Sequence, residues 1–73
     1  MRKTIQFRIF RGDSLYVAEC LDLSIVTQAA SLDQIASNIR EAVALCLDGE
    51  DLAELGFCAD PAVLATMELN VAA

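Results

Sequence analysis

The sequence contains no histidine and no tryptophan, and it has only one proline and three glycines. Without histidine, neither an imidazole-based zinc site nor a serine–histidine nucleophile pair can be built. The scarcity of glycine and proline excludes a collagen-like or low-complexity chain. Apolar residues make up 56% of the chain, which is too many for a disordered protein. We therefore expect a folded domain, and an enzyme is the least expected class because no nucleophile–base pair is present.

Basic residues are also scarce. Lysine and arginine together number 5 against 11 aspartates and glutamates, so the formal net charge is −6. Four of the bases lie in residues 1–11, whereas residues 41–73 contain seven acids and no base. Nucleic-acid binding depends on neutralising phosphates, so this composition argues against a nucleic acid as a direct partner.

Long apolar runs are absent. The basic N-terminus, MRKTIQFRIF, continues as an alternating segment, so neither a signal peptide nor a membrane span is expected. The three cysteines are odd in number and widely spaced, with no C-x-x-C pair. Free thiols without a secretion signal predict a cytoplasmic protein. We expect Cys20 and Cys46 to be buried and Cys58 to lie in a loop.

Acidic residues cluster at positions 48–54, which contain Asp48, Glu50, Asp51 and Glu54. Their spacing does not match the loop of a calcium-binding helix pair, so we interpret them as the solvated end of a helix. No metal, cofactor or catalytic residue is expected in this chain.

Three segments alternate between apolar and polar residues or are rich in β-branched residues, as strands are. They cover residues 4–10, 15–20 and 24–28, and the turn residues Arg11-Gly12-Asp13-Ser14 separate the first two. A hairpin followed by a short connection predicts a three-stranded antiparallel meander. Residues 64–71 alternate weakly and predict a last strand after a turn at Asp60-Pro61.

One amphipathic helix is predicted between the third and last strands. Ser31 and Gln34 have the spacing of a capping box, and Gly49 is a typical residue just beyond a helix end. Apolar residues then recur at helical spacing and predict one buried stripe. The stripe consists of Leu32, Ile35, Ala36, Ile39, Val43, Cys46 and Leu47.

Together these elements predict a single α+β domain over residues 1–73, with two layers and the order β-β-β-α-β. We expect a four-stranded sheet in which the last strand lies beside the first, with the main helix on one face as a right-handed crossover. Both sheet faces carry apolar residues, so the alternation leaves open which set faces the helix. One helix covers only one face, and a chain of 73 residues forms a marginal core alone. We therefore expect a homo-oligomer, a dimer or larger.

Residues 16–47 carry a family resemblance. The segment YVAEC-LDLS-IVTQ-AASLDQIASNIREAVALCL resembles the N-terminal domain of HicB-type antitoxins and their stand-alone relatives. The family has an aromatic and valine-rich strand, an acidic loop, a V-T-Q strand and a helix opened by Ser or Thr before Leu. The similarity extends over residues 4–48, although Leu21 stands where the family usually has proline.

The resemblance implies a protein that binds a small basic ribonuclease toxin of the HicA type and covers its active site. Many such antitoxins carry a C-terminal DNA-binding domain, and we expect this chain, which ends at Ala73, to lack one. Glu19, Asp22 and Asp33 are the predicted partner-binding acids, since we expect a short loop to bring the end of the second strand near the start of the helix. The alternative interpretation of these acids is turn chemistry and helix capping.

Two other function classes remain open. One is an orphan homo-oligomeric structural or regulatory protein without a toxin partner. The other is a small-ligand sensor that uses the apolar sheet face. A neighbouring gene for a basic toxin would favour the antitoxin, and a ligand that copurifies in an apolar cavity would favour the sensor.

The charge balance predicts that this chain has no useful affinity for DNA or RNA. At ~150 mM salt, where even basic proteins bind non-specifically with Kd values of only ~10⁻⁴–10⁻⁶ M, a mobility-shift assay should show no complex. Submicromolar binding to either nucleic acid would contradict this expectation.

Overall fold

The computed structural model describes residues 1–71 and confirms the predicted α+β fold. The elements in chain order are β1 (Arg2–Arg11), β2 (Tyr16–Cys20), β3 (Val26–Ala29), α1 (Leu32–Leu47) and β4 (Phe57–Met67). The strands form one sheet in the order β3-β2-β1-β4. The meander β1-β2-β3 is antiparallel, and β4 lies parallel to β1 as predicted.

The hairpin of β1 and β2 sets the register of the sheet. Phe7 pairs with Cys20 and Arg11 with Tyr16, and the Gly12 N–H donates a 2.7 Å hydrogen bond to the Leu15 carbonyl in the turn. β1 pairs with β2 through residues 7–11 on one edge and with β4 through residues 2–9 on the other. β1 is thus the central strand on which the rest of the sheet is assembled.

The helix α1 begins at the predicted cap. The Ser31 hydroxyl accepts the Gln34 N–H at 3.2 Å, which satisfies one of the free amides of the first turn. The Gln34 side chain donates to Asn38 at 2.8 Å, so it does not complete the reciprocal half of the capping box. At the other end, Gly49 has φ = +76°, the left-handed conformation that glycine adopts without strain.

The core lies between α1 and one face of the sheet, and the structure resolves which face that is. Ile5, Phe7 and Ile9 of β1 point towards α1 together with Ala18 of β2. The fully or nearly buried side chains are Ile5, Phe7, Ile9, Ala18, Ile25, Ala29, Ile35, Ile39, Val43 and Phe57. The sheet face opposite α1 has no element of the described residues packed on it.

The buried stripe of α1 is narrower than predicted. Only Ile35, Ile39 and Val43 are buried, whereas Leu32 and Cys46 are exposed. The expectation that Cys46 is buried is therefore wrong, because full burial along α1 ends one turn before the helix does. Cys20 is half-buried, and its sulfur accepts the Leu23 N–H at 3.3 Å.

The predicted turn at Asp60-Pro61 is wrong, and so are the predicted bounds of the last strand, 64–71. β4 begins at Phe57, and Arg2 pairs with Phe57 while Thr4 pairs with Ala62. Residues 58–61 therefore stand opposite Lys3 alone, as a bulge. Proline is tolerated in a strand only at an edge or a bulge, and β4 offers both. Cys58, expected in a loop, is a half-buried residue of this strand.

The packing predicts that buried and exposed apolar residues of α1 respond differently to truncation. Ile35→Ala should lower the free energy of unfolding by about 2–5 kcal/mol, because it leaves a cavity against the sheet. Leu45→Ala on the same helix should change it by less than about 0.5 kcal/mol, since that side chain is 71% exposed. Urea unfolding of both variants measures the difference, and equal losses would contradict this packing.

Candidate protein-interaction surfaces

The sheet face opposite α1, which we call the open face, is one candidate surface. It is formed by the residues that alternate with the core residues along each strand. These residues are Gln6, Arg8, Phe10, Val17, Glu19, Val26, Gln28, Leu64 and Thr66. Val26 is 70% exposed and Leu64 49% exposed, so the open face presents apolar groups to solvent at both of its sides.

Arg8 lies at the centre of the open face. It forms ion pairs with Glu19 at 3.5 Å and with Glu68, and its guanidinium lies over the Phe10 ring at 4.4 Å from the centroid. The hydrogen bond to Glu68 is the main cause that raises the pKa of Arg8, against a smaller lowering by desolvation, and the charge of Glu19 adds to the increase. Arg8 is therefore a cation in contact with two acids on the open face.

Glu19 is the one predicted partner-binding acid that the structure places on the open face. Its side chain is 44% exposed, and Val26 lies directly opposite it on β3. An acid bordered by an exposed valine and an arginine offers both charge and apolar contact to another protein. The role of Glu19 in binding a partner stays a prediction.

Asp22 has a structural role in the turn after β2. One carboxylate oxygen accepts the Gln6 N–H at 2.8 Å, and the other pairs with Arg2. The adjacent Leu21 N–H donates to the Gln6 carbonyl at 2.8 Å, so the turn continues the hydrogen bonding of β1 beyond the end of β2. With its side chain only 14% exposed, Asp22 presents little charge to a partner.

Asp33 lies apart from the other two acids. It occupies the first turn of α1, on the side of the sheet opposite the open face. Its negative charge there interacts favourably with the positive N-terminal end of the helix dipole. The predicted proximity of the helix start and the end of β2 is wrong. Because β3 runs antiparallel to β2 and Ala29 pairs with Tyr16, α1 starts beside the beginning of β2. Glu19, Asp22 and Asp33 therefore do not form one cluster.

A second candidate surface is an apolar groove between α1 and β4, with a volume of about 520 Å³. The helix packs over β2 and β3 and leaves the helix-side face of the second half of β4 partly exposed, whereas Phe57 at the start of β4 is buried in the core. The groove is lined by Ile9, Leu32, Ile35, Ala36, Ile39, Arg40, Val63, Ala65 and Met67. Leu32 and Ala36 belong to the predicted helical stripe, so the signal for the groove was present in the sequence. The register of β4, which supplies the other side of the groove, had no corresponding signal in the sequence.

Two further properties of the described residues complete this survey. Among residues 1–71, no three His, Cys, Asp or Glu side chains lie close enough together to hold a metal ion. No helix in the described part of the chain has both the length and the apolar character needed to cross a membrane.

No protein-family model, curated protein or solved structure matches this chain. The resemblance to HicB-type antitoxins therefore stays a prediction from the sequence.

The contacts of Asp22 predict that it matters for stability. Asp22→Ala leaves the Gln6 amide and Arg2 without their acceptor, and it should lower the free energy of unfolding by about 1–3 kcal/mol. Glu41→Ala, an exposed change on α1, should have an effect below about 0.5 kcal/mol. Thermal and urea unfolding give the comparison. If Asp22→Ala is as stable as the unaltered chain, Asp22 is free for another role.

Proposed function

We propose that this chain is a non-catalytic, cytoplasmic protein-binding module that resembles a HicB-type antitoxin and neutralises a small basic ribonuclease toxin. The observation that carries the proposal is the open face, where Glu19 lies beside exposed apolar side chains. No other part of the described chain covers this face. A net charge of −6 and a basic partner are complementary.

The two kinds of group on the open face have separate roles in this proposal. Apolar side chains such as Val26 and Leu64 supply affinity by leaving water when the toxin binds. The acid supplies orientation and a faster encounter, since opposite charges on two surfaces steer association. A ribonuclease attracts phosphate to its substrate site, so a carboxylate at that site would occupy the place of the substrate.

Glu19→Lys tests the proposal on the open face itself. With a basic toxin encoded beside this chain, the association rate constant should fall by about tenfold or more, because the change replaces attraction with repulsion. Glu41→Lys makes the same change of charge on the exposed face of α1, and it should alter the rate by less than about threefold. Stopped-flow or biosensor kinetics at two salt concentrations give both values, with circular dichroism as the check on folding.

Equal association rates for the two variants would place the contact elsewhere than on the open face. If no basic protein from the neighbouring gene binds, the second candidate function applies, which is an orphan homo-oligomer with a structural or regulatory role. The exposed edge and groove of β4 favour that candidate.

A further inference from the structure

The outer edge of β4 is free among the described residues. β4 is the last strand in the sheet order, and only β1 pairs with it. The Glu68 N–H donates to the Ile9 carbonyl at 2.9 Å, so the amides of even-numbered residues point towards β1. By the alternation of a strand, the N–H and C=O groups of Val63, Ala65 and Met67 point outwards, away from the sheet.

The opposite edge of the sheet is protected. β3 has only four residues, and the Asn38 side chain of α1 donates to the Gln28 carbonyl at 3.3 Å. Natural sheets protect their edges with short strands, covering side chains, charges or proline. β4 has 11 residues, and the residues that would protect its edge, the charged Asp60 and Pro61, lie in its first half.

The second half of β4 is apolar, uncharged and exposed. Residues 62–67 read AVLATM, and Val63 is 39% exposed and Met67 38% exposed. A long apolar edge of this kind is a template for another strand. Because this segment carries no charge, two copies of it meet without electrostatic repulsion.

We infer that a second copy of this chain pairs with β4 in antiparallel orientation, about a two-fold axis near Ala65. The four strands of each copy then form one continuous eight-stranded sheet, with both helices on the same face. The two grooves then lie side by side on the helix-side face of this sheet, with Val63 and Met67 of both copies on the floor between the two helices. This inference stands on β4 and does not depend on a toxin.

Charge selects the antiparallel arrangement over the parallel one. The acidic segment, residues 48–54, directly precedes β4. Antiparallel pairing places the two acidic segments at opposite ends of the dimer, each more than about 20 Å from the axis and well beyond the screening length of about 8 Å. Parallel pairing would place them side by side. A two-fold axis also closes the assembly, which prevents growth into fibres.

Charge and backbone chemistry also select the register. Centring the pair on Ala65 places Val63 opposite Met67 of the other copy, in hydrogen-bonded pairs that use the outward amides. A shift that centres it on Leu64 would oppose Asp60 to Glu68 and would bring Pro61, which has no N–H, into the ladder.

Ala65→Lys tests the inference, because it places two ammonium groups directly opposite each other at the axis. Gln28→Lys is the matched control, with the same added charge on the opposite edge of the sheet. Sedimentation velocity at micromolar concentrations should give twice the chain mass of 7.9 kDa for the unaltered protein and for Gln28→Lys. Ala65→Lys should sediment as a folded monomer, with its circular dichroism retained.

Hydrogen exchange locates the interface. In the unaltered protein the amides of Val63, Ala65 and Met67 should exchange at least about tenfold more slowly than in Ala65→Lys, since only pairing protects them. A 7.9 kDa monomer for the unaltered chain overturns the inference, as does a dimer that survives Ala65→Lys. Fast exchange of these amides within a stable dimer would place the interface on another surface and equally overturn it.

Discussion

A single helix cannot cover a four-stranded sheet, and the main features of this molecule follow from that constraint. α1 packs over β2 and β3 and buries Ile35 and Ile39 against the centre of the sheet. The helix leaves two surfaces uncovered, which are the whole open face on one side of the sheet and the second half of β4 on the other. A chain with 56% apolar residues then keeps large apolar side chains at the surface, where another protein can bury them.

The two uncovered surfaces differ in chemistry, which suits them to different partners. The open face combines apolar side chains with the paired charges of Arg8 and Glu19, an arrangement that favours a charged and specific partner. The edge of β4 offers unpaired backbone groups and uncharged side chains, and it is self-complementary. A dimer formed through β4 would leave the open face of both copies accessible, so the two proposals are compatible.

The sequence predicts most of the fold because its local signals are strong. Ser31 and Gly49 delimit the helix through cap chemistry, and the alternation in β1 defines its two faces. The errors lie where tertiary context decides. Asp60-Pro61 is typical of a turn, yet a bulge at a sheet edge accommodates it, and Cys46 has helical spacing but lies beyond the last buried turn.

The candidate site is less predictable than the fold, for a physical reason. Whether an acid is available depends on what it bonds, and the sequence does not show that Asp22 binds a backbone amide of β1. Nor does it show that β3 returns the chain to the beginning of β2 before α1 starts, which is why Glu19 and Asp33 were expected together. The groove depends on the offset of α1 from β4, which neither helical nor strand periodicity encodes.

Isotope-filtered NMR on a mixture of labelled and unlabelled chains tests the central claim most directly, because it detects only contacts between copies. An antiparallel pair centred on Ala65 predicts a cross-peak between the Hα atoms of Leu64 in one copy and Thr66 in the other, which face each other in a non-hydrogen-bonded pair. That cross-peak would establish β4 as the surface that the helix leaves for a second chain. Intermolecular cross-peaks confined to the open face, or none at all, would contradict the account.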